Sequence, residues 1–324
     1  MSTVLGSMRR LVLSPSLHDV SFAGRGFAVT PTDATRSLEA IPQAVICGFE
    51  WGIDFARQSD LVRRLDMVDA ELRGFAYEGA TMALTVRDAM AAGRGTKARS
   101  FLSGPGRPHT FLTYIGIGFA MARLPRPLWR NVLPDLSGTP YFPTMSWLAV
   151  DGYGFDRAYF DTDIVVTRQQ LLDPYPWQGR ADYFPRAVDQ GIGRALWFIH
   201  GGVPDAVGAA VRRFTTDRHA DLWSGVGLAA TFAGGCDETG LKALREDSGT
   251  YWPHLAQGAV FAAKARDFSG YVAEHSAKAL HVLAGLSVPT ASAMADDISL
   301  SKASSGEPDY EAWRRQVREH LSRP

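Results

Sequence analysis

The chain has very little cysteine. Cys47 and Cys236 are its only two in 324 residues, too few for a disulfide framework and too scattered for a structural zinc site. It also lacks net charge, because 34 Lys and Arg residues balance 34 Asp and Glu residues. A dedicated nucleic-acid binder normally carries a basic excess. Long apolar runs are missing as well. Long uncharged stretches such as 110–122 and 136–150 fall short of the roughly 20 residues of a spanning helix, and the second contains Pro140 and Pro143. Arg9 and Arg10 precede only Leu11, Val12 and Leu13, which is no secretory leader, so the expected setting is the cytoplasm.

Recognisable catalytic and metal motifs are equally scarce. The eight histidines form no His-x-x-x-His pair, and neither cysteine lies near a histidine at ligand spacing. Asp156, Asp161 and Asp163 make no Asp-Asp-x-x-Asp motif and read as acids at helix ends, while Asp296-Asp297 reads as a solvated turn. No Gly-x-Ser-x-Gly elbow occurs. Neither a metal nor a cofactor is expected.

With 46% apolar and 11% aromatic residues, the chain still has the material for a large core. Its organisation shows as a period. Gly, three residues, then Ala recurs from Gly79, Gly116, Gly154, Gly191, Gly225 and Gly258, at spacings of 37, 38, 37, 34 and 33 residues. A weaker copy starts at Gly52. Residues four apart share a helical face, and small ones there let two backbones approach, offsetting the roughly 1 kcal/mol that glycine costs in a helix. Gly-x-Gly at 116, 191 and 225 half-matches a dinucleotide fingerprint, but that motif needs a preceding strand, so helix packing explains it. Each such helix is followed by a break and a second helical segment, as at Val203-Pro204-Asp205, Gly234-Gly235-Cys236-Asp237 and Ser269-Gly270. The expected fold is all-α, with tandem helix–turn–helix repeats of about 33–38 residues in a tetratricopeptide-like α-solenoid. A closed α/α ring is the other arrangement this period allows.

Three segments follow. Residues 1–48 form an N-terminal cap, with a helix over about 31–46 that Thr30-Pro31-Thr32-Asp33 opens and Gly48 ends. Residues 49–290 form the repeat domain, in which 93–106 reads as a Gly/Arg-rich loop and 174–179, with Tyr175 and Trp177, as a connector. Residues 291–324 form a polar linker and a last helix whose apolar face is Tyr310, Trp313, Val317 and Leu321.

Repeat register selects the candidate site. With each glycine as position zero, positions one before and three after read Glu78/Met82, Ile115/Phe119, Tyr153/Arg157, Gln190/Arg194, Ser224/Leu228 and Gln257/Phe261. Two before gives Tyr77, Tyr114, Gly152, Asp189, Trp223 and Ala256. This row mixes aromatic surface with a few polar groups, which suits an elongated apolar ligand with polar anchors. The expected binding residues are Tyr77, Glu78, Tyr114, Phe119, Tyr153, Gln190, Trp223 and Gln257. Asp151, Asp156, Arg157, Asp189 and Arg194 are the charges an apolar repeat needs least and are the catalytic candidates. The competing reading pairs Asp151 with Arg157 and Asp189 with Arg194 as bridges between neighbouring helices.

Four strings are long and unusual: 75–83 (FAYEGATMA), 113–129 (TYIGIGFAMARLPRPLW), 146–160 (SWLAVDGYGFDRAYF) and 183–198 (YFPRAVDQGIGRALWF). Together they resemble the UnbL-type enediyne biosynthesis protein family, bacterial proteins encoded beside enediyne polyketide synthases, over about residues 1 to 290. The resemblance implies a part in maturing the enediyne core after the synthase releases a linear polyene, and brings no assigned catalytic residues. It leaves open an enzyme acting on a hydrophobic polyene, a scaffold that docks the synthase or a membrane-bound partner, and a protein that sequesters the toxic product.

Overall fold

The computed structural model describes residues 16–91, 95–298 and 306–322. Among them every regular element is helical and no β-strand occurs. No helix among the described residues is long and apolar enough to cross a membrane. The chain folds as two compact units, residues 1–26 with 39–153, and residues 27–38 with 154–324.

The first unit is built on α1 (Asp33–Asp54, from Glu39 on), α2 (Ala70–Ala89), α3 (Thr110–Arg123) and the start of α4 (Leu148–Phe160, to Tyr153). Its glycines are contact points between backbones. A Cβ added at Gly48 would lie 1.9 Å from the Ala76 carbonyl oxygen, and one at Gly79 would lie 1.8 Å from that of Val45. At Gly116 and Gly118 the same construction meets the carbonyl oxygens of Glu78 at 2.2 Å and Ala149 at 2.1 Å. Gly116 therefore faces the preceding helix and Gly118 the following one. Two residues are about 200° of helical turn, so Gly-x-Gly serves both neighbours at once.

The second unit repeats the scheme. Its helices are α5 (Phe184–Ile199), α6 (Pro204–Arg212), α7 (Thr216–Ala233), α8 (Glu238–Asp247), α9 (Trp252–Phe268), α10 (Glu274–Ala284), α11 (Val288–Asp297) and α12 (Asp309–Leu321), together with the end of α4. Helices α5, α7 and α9 pack side by side in chain order, and α6, α8 and α10 form a second row against them. A Cβ at Gly225 would lie 1.9 Å from the Gln190 oxygen, and one at Gly227 would lie 2.0 Å from that of Leu255. Gly193 meets Leu222 and Gly258 meets Ser224 in the same way. Prolines in the first turns of α5, α6, α9 and α11 preset helical φ where no N–H partner is needed. Asp237 caps α8 by accepting from the Gly240 N–H at 2.8 Å.

The helical-repeat expectation holds, with four local corrections. In α4 the glycine facing the preceding helix is Gly152, whose Cβ would lie 2.3 Å from the Ile115 oxygen, while Gly154 faces Val188 of α5. The Gly-x-x-x-Ala pattern had selected Gly154 because the residue four after Gly152 is Asp156. With the register moved, Asp151 joins the row of Glu78, Ile115, Gln190, Ser224 and Gln257, and Tyr153 and Arg157 leave it. Second, α1 runs through Gly48 to Asp54, since Gly48 is a packing position and not a stop. Its N-terminus is capped by Thr32, whose hydroxyl accepts from the Thr35 N–H at 3.1 Å. Third, residues Lys97–Ser103 of the expected loop are helical and bury Ala98, Phe101 and Leu102 at i, i+3, i+4 spacing. Fourth, Asp296 and Asp297 end α11 and do not form a turn, and Lys264 donates to Asp296 at 2.6 Å. The leader reading at 1–15 and the linker at 299–305 lie outside the described residues, as do residues 92–94 of the expected loop.

Candidate functional site

In the second unit the repeat register brings Gln190, Ser224 and Gln257 to one edge of α5, α7 and α9, and all three are buried. They do not face an open groove. Helix α12 lies on them. The Tyr310 hydroxyl donates to Gln190 Oε1 at 3.2 Å, Arg314 Nε donates to Gln257 Oε1 at 3.2 Å, and Ser224 donates to the same oxygen at 3.0 Å. Trp313 packs its edge on Phe261 with ring centroids 5.6 Å apart. Half of the expected ligand row is thus the seat of the C-terminal helix.

Beneath that helix is a polar centre that sequence patterning missed. Arg314 has a 0% exposed side chain and donates through Nη1 to Asp221 and the Tyr183 oxygen at 2.9 Å each, and to Glu311. Tyr183 donates to Glu311 Oε2 at 2.6 Å, and Gln190 Nε2 donates to Asp221 at 3.0 Å. From the rim, Arg186 donates to Asp221 at 2.8 Å and Glu311 at 3.2 Å, and Arg318 donates to Glu311 at 2.8 Å. Burial works to raise the Glu311 carboxyl, but Arg314, Arg318 and Arg186 together hold it well below the usual range. Burial also raises the Tyr183 phenol, which stays a neutral donor. The one signal for this centre was positional: Arg314 falls inside the apolar stripe of α12, four residues after Tyr310 and three before Val317.

The other candidate charges are placed apart. Asp189 pairs across α5 and α7 with Arg218 at 2.6 Å, not with Arg194, whose guanidinium lies 5.0 Å over the Phe155 ring. Arg157 is one-third exposed and pairs with Asp161 at 2.7 Å, not with Asp151. Asp151 and Asp156 are buried, Trp223 is core, and Tyr153 packs edge-on against Trp129 at 4.9 Å. In the first unit Tyr77 donates to Asp66 at 2.8 Å, and its ring lies against those of Phe101 and His109, with centroids 5.4 and 4.5 Å away. Tyr114 is 0% exposed and its hydroxyl has no hydrogen-bond partner among the described residues. It lies on α3 beside the row of Glu78, Ile115 and Asp151, with Met82 and Phe119 on the same faces, all of them buried.

Asp189 gives a pH signature. Burial pushes its carboxyl up from 3.8 to about 6, with Arg218 pulling the other way. The folded state keeps this proton where the unfolded chain has lost it. Its contribution to stability is therefore complete below about pH 4 and lost as pH rises to about 6. Asp189→Asn is expected to flatten that part of the stability curve in urea unfolding between pH 4 and 7. An unaltered slope would assign the titration to another group.

No curated protein and no solved structure matches this chain. A family model described as "Protein of unknown function (DUF1702)" matches residues 4–321. That match covers nearly the whole chain and both helical units, and the protein therefore belongs to the DUF1702 family.

Proposed function

We propose that the protein acts in enediyne natural-product biosynthesis, holding a linear polyene or a derivative of it on its way to the enediyne core. The four strings that resemble the UnbL-type family support this reading, and two of them, 75–83 and 113–129, lie on or around α2 and α3. The observation that carries it is Tyr114: a fully buried phenol without a partner among the described residues, beside a row that holds two buried carboxyl side chains, Glu78 and Asp151, among apolar and aromatic groups. A conjugated chain is flat, apolar and unstable in water. An aromatic lining shelters it, the phenol supplies an anchor, and a carboxyl beside it would give or take a proton without a cofactor. With Gln190 and Gln257 engaged by α12, the proposed site narrows to Tyr77, Glu78, Tyr114, Phe119 and Asp151. The proposed setting is the cytoplasm, beside the polyketide synthase and the other proteins of its cassette.

The test uses Tyr114→Phe. Removing an unsatisfied buried hydroxyl is expected to stabilise the free protein by about 1 kcal/mol in urea unfolding. The same change is expected to weaken polyene binding roughly ten-fold in a fluorescence titration, since a buried hydrogen bond to the ligand is lost. A variant that binds the polyene as well as the wild type removes Tyr114 from the site. Binding without a change in product mass would make the protein a carrier that presents the chain to a partner enzyme.

A further inference from the structure

We propose that the second unit binds a carboxylate where α9 meets α12, on Arg314 Nη2, Arg318 Nη1 and His254 Nδ1. Each of these three nitrogens is shielded from solvent and makes no hydrogen bond among the described residues. Arg314 and Arg318 lie one turn apart on α12, with side chains 0% and 13% exposed. His254 lies one turn before Gln257 on α9, and Gln257 is the residue that Arg314 Nε reaches at 3.2 Å. The imidazole feels the charges of both Arg318 and Arg314. The Gln257–Arg314 contact sets the turn of α9 that follows His254 against the turn of α12 that carries Arg314.

Donor and acceptor supply decides the chemistry of the ligand. The four carboxylate oxygens of Asp221 and Glu311 are already engaged. Asp221 takes Arg186, Gln190 and Arg314, and Glu311 takes Arg186, Tyr183, Arg314 and Arg318. The guanidinium nitrogens left over are donors only. Three arginines against two carboxylates also leave one positive charge, because Asp189 and Arg218 neutralise each other. A donor surplus with one excess positive charge calls for a planar, acceptor-only monoanion, which a carboxylate is. Enclosure of all three nitrogens restricts the ligand to a small carboxylate or to the end of a slender chain. This inference goes beyond the polyene reading, which rests on the first unit.

The experiment is a thermal unfolding titration of the full chain with sodium acetate and with sorbate, a short dienoic acid, against sodium chloride at fixed ionic strength. A ligand that binds only the folded state raises Tm with its concentration. The expected result is a saturable rise with carboxylate that chloride does not give. A lower half-saturating concentration for sorbate identifies a chain terminus as the ligand, and equal values identify a free small carboxylate. Arg318→Gln is expected to raise the half-saturating concentration roughly ten-fold, as loss of a charge-assisted hydrogen bond does. His254→Gln, which removes no charge from the centre at neutral pH, carries the test if Arg318→Gln does not fold. Arg315→Gln, on the exposed face of α12, should leave the titration unaltered. The inference is overturned if acetate and sorbate act no differently from chloride, as a site filled by water would, or if both variants keep the wild-type response. Either failure leaves the polyene titration with Tyr114→Phe to be judged separately.

Discussion

Gly225→Ala is expected to destabilise the protein by about 3–5 kcal/mol, among the largest effects of a single methyl group. Helix propensity alone points the other way, since alanine is favoured over glycine by roughly 1 kcal/mol inside a helix. The contact decides. The new Cβ would lie 1.9 Å from the Gln190 carbonyl oxygen and 2.8 Å from the Arg194 nitrogen. Both are backbone atoms of α5, which no rotamer change can move. Helix α7 cannot retreat either, because Gly227 already holds its other side against Leu255, at 2.0 Å from a would-be Cβ. Gly74→Ala is the counterpart. There the nearest atoms are side-chain atoms of His109 and Leu112 at 3.4 Å, an ordinary contact, so propensity wins and stability should be unaltered or up to about 1 kcal/mol higher. Urea unfolding followed by far-ultraviolet circular dichroism compares the two. Losses of similar size at both positions would refute the packing role given to the repeat glycines.

Arg314→Met is the second large effect, expected at about 3–5 kcal/mol. Methionine fills much of the same volume, so the loss reports charge and not a cavity. It removes one of the three cations around Asp221 and Glu311, each with a side chain 3% exposed, leaving Arg186 and Arg318, and it takes from Tyr183, Gln257 and α12 their common partner. The loss should shrink on acidification. In the wild type the depressed Glu311 carboxyl contributes stability that is present above about pH 4.3, its usual value, and lost as pH falls through its folded value. In Arg314→Met that contribution is smaller, because Arg318 and Arg186 alone hold the carboxyl down, and less of it is left to lose on acidification. Urea midpoints of the two proteins should therefore approach each other as pH falls below about 4.3. A constant gap would mean that Arg314 acts through packing alone.

The repeat was legible because its physical cause is local. A backbone carbonyl at 2 Å leaves glycine as the one residue that fits, so the period of the close contacts is written in the chain as a period of glycines. The exact register was less secure. In α4 both glycines make close contacts, and Asp156 stands where the other repeats have alanine, so the match slipped by two residues and hid Asp151 from its row. The pairing Asp189–Arg218 was not readable, since the two residues lie 29 positions apart and only the packing of α5 on α7 brings them together; Arg157–Asp161 has ordinary i, i+4 spacing and was passed over in favour of Asp151. The largest miss was α12. Glu311, Arg314 and Arg318 have the spacing of surface ion pairs, and nothing in their own segment says that Tyr183, Asp221 and Gln257, which lie 54 to 135 residues earlier, will meet them. What did carry over is that most of the −1 row is polar, and the structure buries all of it. In the second unit its purpose is to seat a helix.

The measurement that bears most directly on function is absorption spectroscopy of the linear polyene released by an enediyne synthase, taken with and without purified protein, with the product mass followed over time. The expected result is a saturable change in the polyene bands, by shift or by loss of the chromophore to a defined new mass, that Tyr114→Phe weakens. A polyene spectrum and mass identical in the presence of excess protein would contradict the proposed function.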